Sequence, residues 1–294
     1  MGHGGGGRMA RRLLERRILA RFDNPALRTR HDGAVLEIGG QRWAYTTDGH
    51  VVQPIEFPGG DIGSLAVYGT GNDLAMCGAR PRWMSASLIL EEGLGMDVLE
   101  RVLDSMARAA RGIGVEIVTG DTKVVDRGHG DGVYVSMSGM GPVEAPGLVA
   151  PASVRAGDGV IVSGDLGRHG MAILSVREGI RFEGGLSSDC ASLVEPALDL
   201  FAQGVEVHCL RDLTRGGLAA ALDEIASAAG LGIEVDEGRV PVSEPVRGAC
   251  EVLGLDPIHV ANEGRFVAFV PVGAVEAALS VLRRHPVSEG AVVV

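Results

Sequence analysis

The chain has 294 residues and a formal charge of −11, with 46% hydrophobic residues but only 4% aromatic ones. That length exceeds a typical single domain, so two domains with a sizeable core are expected, and 45 glycines beside so few aromatics point to Val, Ile, Leu and Ala packed in α/β layers. The acid excess argues against a nucleic-acid partner, which demands clustered Lys and Arg, and no apolar run reaches the roughly 18 residues of a membrane span.

The four cysteines, Cys77, Cys190, Cys209 and Cys250, contain no Cys-x-x-Cys pair. Neither a zinc site nor a disulfide framework is signalled, and reduced thiols in a cytoplasmic protein are expected.

In chain order, the run Gly4, Gly5, Gly6 and Gly7 behind His3 comes first. It is either a flexible tail or tag remnant, the reading that composition favours, or a loop whose bare amides wrap phosphate. An amphipathic stretch follows from Met9 to Phe22, and the arginines crowded there read as a solvated helix face or a basic rim. Strands are expected at Ala34 to Ile38 and Trp43 to Thr47.

Ile62 to Gly78 reads as a helix, because Ile62, Ala66, Gly69, Asp73 and Met76 recur at spacings of four, three, four and three. An unpaired carboxylate on that packed face is costly. Asp73 is therefore neutral, paired or metal-bound, or else a satisfied aspartate near the helix end. Gly69 and Gly71 each cost about 1 kcal/mol relative to alanine in a helix, which makes sense where a ligand or another backbone approaches. Asp97 reads as the cap of a second helix ended by Gly112 and Gly114.

Val115 to Val118 reads as a short buried strand delivering Gly120 and Asp121 at its carboxyl end, and Val133, Val135 and Met137 as a further strand. Pro142 to Pro151 is the expected linker, dividing an N-terminal domain of residues 1–150 from a C-terminal domain of residues 151–294.

In the second half, Gly159 to Ser163 reads as a strand and Gly170 to Glu178 as a helix. Arg215, Gly216 and Gly217 open another helix and make an anion site or an ordinary cap. Asn262-Glu263-Gly264 is either a hairpin turn or the polar wall of a pocket, and the sequence favours the turn.

Asp48, Asp61, Asp73 and Asp121 each sit beside a glycine, an asparagine or a strand end. Singly they are turn formers. Together, with Lys123 two residues after Asp121, they suit Mg2+ bridging carboxylates to nucleotide phosphates.

Several longer strings add to this: Phe57-Pro58-Gly59-Gly60-Asp61-Ile62-Gly63, Asn72-Asp73-Leu74-Ala75, Gly120-Asp121-Thr122-Lys123-Val124, Arg211-Asp212-Leu213-Thr214-Arg215-Gly216-Gly217 and Ala261-Asn262-Glu263-Gly264-Arg265. With the glycine run and Thr47-Asp48 they resemble, in order along nearly the whole chain, the HypE family of hydrogenase maturation factors. Glycine-aspartate pairs alone would match the wider aminoimidazole-ribonucleotide synthetase superfamily.

The resemblance implies an α/β (α+β) fold and a homodimer whose N-terminal sheets pair into a β-barrel, each chain adding a C-terminal α/β sandwich. It implies ATP and Mg2+ as cofactors and dehydration of a protein-bound S-carbamoyl group to a thiocyanate, which supplies cyanide to the iron of a nickel-iron hydrogenase. The implied partners are a carbamoyl-transferring protein and an iron-scaffold complex.

By the same resemblance, Asp48, Asp73 and Asp121 are metal ligands, and Lys123 steadies the transferred phosphoryl group while Glu263 accepts the amide proton. Gly4 to Gly7, Asp61, Asn72, Gly120, Thr122, Arg215, Gly216 and Gly217 then bind nucleotide. Family chains continue to a Pro-Arg-Ile-Cys tail, whereas this sequence stops at Val294, so nucleotide binding without a cysteine acceptor in cis is expected. The alternatives are a selenophosphate-synthetase-like enzyme, disfavoured because Met1 to Gly7 holds neither Cys nor Lys, and a non-catalytic nucleotide-binding scaffold.

Overall fold

The computed structural model of the chain describes residues 13–180, 182 and 185–294. Gly4 to Gly7 lie outside the described residues.

The first half supplies β1 (Ala34–Ile38), β2 (Gln41–His50), a two-stranded hairpin of β3 (Glu56–Phe57) and β4 (Gly60–Asp61), β5 (Trp83–Glu91), β6 (Glu116–Val125) and β7 (Val133–Pro142). The main sheet runs β1-β2-β7-β5-β6. Its pairs are antiparallel except β5 with β6, which are parallel and joined by the crossover helix Met96–Gly112. Along β7, Val133, Val135 and Met137 point inward and pack with Ile62, Leu65 and Ala66 of the Ile62–Met76 helix and Val102 and Met106 of the crossover helix. The period of two in the strand and the helical spacing thus meet in one core.

The Ile62–Met76 helix starts at a capping box. The Asp61 carboxylate accepts the Gly63 and Ser64 N–H groups at 2.7 and 3.0 Å, while Ser64 Oγ accepts the Asp61 N–H at 3.1 Å. Asp97, expected as the cap of the next helix, lies in its first turn instead. The N-cap is Gly95, and Asp97 pairs with Arg101 at 2.9 Å.

β6 differs from expectation in kind. It is ten residues long, exposed over almost its whole length, and carries Gly120 and Asp121 in its middle rather than at its end. A strand at a sheet edge has no neighbour on one side to bury it. Gly120 is required there by close approach, since a Cβ would sit 2.2 Å from the Ala86 carbonyl oxygen.

The second half forms β8 (Asp158–Val162), β9 (Cys209–Asp212), β10 (Phe266–Pro271) and β11 (Val292–Val293), an antiparallel sheet in the order β11-β8-β10-β9. β10 is apolar on both faces because both are covered. Phe266, Ala268 and Val270 enter one core with the Val194–Ala202 and Val275–Leu282 helices, and Val267 and Phe269 enter another with the Gly217–Ala229 helix.

The hairpin expected around Asn262 to Gly264 is not formed: Pro257–His259 is a 3-10 turn, and β10 pairs with β8 and β9. Among the described residues both sheets are open, and the fold is mixed α/β. Ala75 and Met76, at the end of the first helix, pack in the second half's core beside Leu193 and Ala197, so this helix touches both halves.

Candidate active site

The end of the Ile62–Met76 helix presents Asp73 toward the junction of the two halves. Thr46 on β2 donates its hydroxyl to this carboxylate at 2.8 Å. β9 ends there with Asp212, to which the Thr214 hydroxyl donates at 3.3 Å, and the residue before Gly33 adds Asp32. One oxygen from each of Asp32, Asp73 and Asp212 lies within 4.8 Å of the others.

The cation beside them is Arg211, which acts on Asp32 and Asp212. Arg211 pairs with Asp32 at 2.7 Å and with Glu224 at 2.6 Å. Burial pushes Asp212 up to about 6, with Arg211 opposing. Burial also holds Asp73 well above the carboxylate range, and the charges of Asp212, Asp32 and Asp48 add to it. Asp32 is raised by burial too, against the pull of Arg211. Like charges crowded in a poorly solvated place cannot all ionise unless a cation joins them. Asp32 Oδ2 is buried with no hydrogen-bond partner, an orphan acceptor of the kind a metal satisfies. Carboxylate oxygens are also the donors that Mg2+ prefers.

Asp48 faces the same group, since its charge raises Asp73, Asp212 and Glu263. The buried His50 lies 3.5 Å from it. Gly69 makes the room, because a Cβ there would stand 2.9 Å from His50 Cε1. Glu263 enters from the second half with its carboxyl held well above the ordinary range, first by burial and then by Asp212, Asp189 and Asp48. A carboxylate so raised is a stronger base than a solvated one.

The other expected residues fall elsewhere. Asp61 is spent on its cap and on the Ser105 hydroxyl, 2.5 Å away. Asn72 clasps the second half, donating to the Ala191 carbonyl at 3.1 Å and accepting the Leu193 N–H at 2.7 Å. Gly120, Asp121, Thr122 and Lys123 lie on exposed β6, where Lys123 pairs with Asp121 at 2.6 Å and the Thr122 N–H donates to Asp121 at 2.8 Å. Asp121 is not part of the carboxylate group.

Arg215 is exposed at the start of the Gly217–Ala229 helix. Gly216 and Gly217 have φ of +82° and +61°, and a Cβ on Gly217 would stand 2.6 Å from the Ile258 and Val260 carbonyl oxygens. Sequence reasoning missed Asp32 and Asp212 as ligand candidates. Both carry a readable signal: Asp32-Gly33 opens a strand, and Asp212 closes one.

Residues 30–143 match the family described as AIR synthase related protein, N-terminal domain, and residues 155–294 match its C-terminal domain. The carbamoyl dehydratase HypE of Cupriavidus necator H16 is 49% identical over 292 residues, covering 99% of this chain and 83% of that protein. A crystal structure of the hydrogenase maturation protein HypE in complex with ATP superposes with a TM-score of 0.85 at 48% identity, over 99% of this chain and 87% of the other. The HypE–HypF complex gives a TM-score of 0.92 at 41% identity, over 96% and 92%. Sequence strings, identity to these relatives and fold converge on one conclusion: the chain belongs to the HypE family of carbamoyl dehydratases.

Proposed function

We propose that this chain performs the family reaction: ATP-dependent conversion of an S-carbamoyl cysteine to a thiocyanate during maturation of a nickel-iron hydrogenase. The observation that carries the reading is the meeting of Asp32, Asp73 and Asp212 at the junction of the halves, beside Glu263. The likeness to an ATP-bound HypE supports nucleotide binding, and the likeness to the HypE–HypF complex supports a maturation partner, which on this reading delivers the carbamoyl group.

The carbamoyl oxygen is a poor leaving group until it becomes a phosphate ester. Transfer of the γ-phosphoryl group to that oxygen, with loss of one amide proton, makes the ester; loss of phosphate with the second proton leaves the nitrile. ATP becomes ADP, and the carbamoyl oxygen departs in phosphate. Glu263 accepts the amide proton, and its raised basicity fits that task. Asp32, Asp73 and Asp212 would hold Mg2+, with Asp48 facing them; the metal, when bound, neutralises phosphate charge during transfer.

Lys123 joins through dimerisation. The unpaired β6 edge, with Val118 and Val124 exposed, supports pairing of two first-half sheets into a barrel. That pairing carries Lys123 and Asp121 to the shared clefts, where Lys123 steadies the phosphoryl group. Arg215 with the Gly216 and Gly217 turn lines the anion side. We place the protein in the cytoplasm on its four free cysteines. Among the described residues no helix is long and apolar enough to cross a membrane.

The test is phosphate release from Mg-ATP with a synthetic peptide ending in S-carbamoyl cysteine, with mass spectrometry of the peptide. Thiocyanate formation dependent on ATP supports the reading. ATP hydrolysis without thiocyanate points to a different acceptor, and no turnover points to a scaffold.

A further inference from the structure

Of the three polar side chains of its motif, Asn262 and Arg265 hold backbone and Glu263 does not. Asn262 accepts the Gly167 N–H at 2.7 Å and donates to the Leu213 and Val260 carbonyls at 3.0 Å each. Arg265 is buried, with its guanidinium on the Gly264 and Val287 carbonyls and on Asp165. What fixes Glu263 itself comes from a distant stretch of chain, residues 187–193, which passes between the two halves as a strap.

We propose that Asp189 is the positioning residue for the Glu263 carboxylate. Its carboxylate accepts two consecutive amides, the Glu263 N–H on Oδ1 and the Gly264 N–H on Oδ2, each at 3.2 Å. The neighbouring Ala191 N–H returns a contact of 3.4 Å to the Glu263 carbonyl. Two bonds from one carboxylate to adjacent amides fix the backbone orientation at Glu263, as a single bond would not. Asp189 is only 3% exposed, so water offers those amides no substitute.

Packing repeats the constraint. A Cβ on Gly264 would stand 1.9 Å from the Asp189 carbonyl oxygen, so the two backbones are as close as glycine permits. The strap is anchored at both ends by the first half. Ser188 donates its N–H to the Pro58 carbonyl at 2.8 Å, and Asn72 clasps Ala191 and Leu193. Pro58 is in the turn of the β3–β4 hairpin that leads into the capped helix, and that helix carries Asp73. The base is thereby referenced to the same element that sets the carboxylate group.

This inference rests on Glu263 being the proton acceptor, and the experiment separates the two. Wild type, Glu263→Gln, Asp189→Asn and Asp189→Ser are assayed with Mg-ATP and the S-carbamoyl-cysteine peptide, with ATP affinity measured by calorimetry and folding by thermal melting. Asp189→Asn and Asp189→Ser are expected to lower kcat by roughly ten- to a hundredfold, as displacement of a reacting group does, with ATP affinity retained and a cooperative melting transition still present, at a lower temperature because the two amides lose their acceptor. An active Glu263→Gln would remove the base assignment itself. With Glu263→Gln inactive, unchanged kcat in both Asp189 variants overturns the proposal, as does a loss that follows ATP affinity. Failure of both to fold also overturns it, because Asp189 would then serve the fold rather than the base.

Discussion

Asp73 and Asp212 come from opposite halves of the chain, yet a carboxylate oxygen of one lies within 4.8 Å of a carboxylate oxygen of the other. Neither half holds the acid group alone. A cation bound there would be shared between them, and its binding would draw the halves together.

The first expectation concerns that cation. Asp212→Asn and Asp73→Asn each remove one anionic oxygen donor, so calorimetric titration with ATP should show affinity in Mg2+ falling by about tenfold or more. In EDTA the difference from wild type should be small. Equal Mg-dependence in wild type and Asp212→Asn would take Asp212 out of the site.

Stability against pH follows from the same group. Burial raises Asp212 to about 6 in the folded chain, whereas an unfolded aspartate titrates near 3.9. A carboxyl raised on folding favours the folded state while protonated; that contribution is complete below about pH 4 and is lost as pH rises through about 6. In EDTA, Asp212→Asn should therefore gain in melting temperature relative to wild type as pH goes from about 4.5 to 7. Saturating Mg2+ should shrink or reverse the gain at neutral pH. A difference that does not vary with pH would mean that Asp212 is not raised.

Asp61 separates a structural aspartate from a binding one. Its side chain caps the Ile62–Met76 helix and takes the Ser105 hydroxyl. Asp61→Ala should cost about 1–2 kcal/mol in chemical denaturation, with ATP affinity in the folded protein within about threefold of wild type. A large loss of ATP binding without a loss of stability would move Asp61 into the nucleotide site.

For the dimer, light scattering should report twice the 30.5 kDa chain mass. Val118→Lys, on the exposed β6 edge where Val118 is 58% exposed, should shift the population toward monomer. Because Lys123 and Asp121 lie on that strand, the monomer should lose turnover with it. A fully active monomer would show that Lys123 needs no partner.

Much of this was legible in the sequence for identifiable reasons. The Ile62–Met76 helix was readable because its apolar spacing is local, and β1 because its alternation is local; the Asp61 cap showed only in the structure. Asp73 stood out as a charge on an apolar face. Asp32 and Asp212 did not, because each resembles a turn residue until β9 is packed beside the end of that helix. β6 was misread as buried because its valines and isoleucine give no sign of which neighbour they lack. Asn262 to Gly264 looked like a hairpin because two apolar runs flank it; only the 3-10 turn at Pro257–His259 and the pairing of β10 with β8 and β9 show that the first run is not a strand.

The Asn72 clasp has a consequence for how the protein is made. Its two partners, the Ala191 carbonyl and the Leu193 amide, belong to chain that leaves the ribosome well after Asn72 itself. Until they arrive, the first half holds an amide side chain cut to fit a surface not yet synthesised, and Ala75 and Met76 lack the residues they pack against. Domains commonly fold as units during synthesis, N-terminal first. The nascent first half would then wait incomplete, and Mg-dependent nucleotide capture is expected only after β9 has emerged with Asp212.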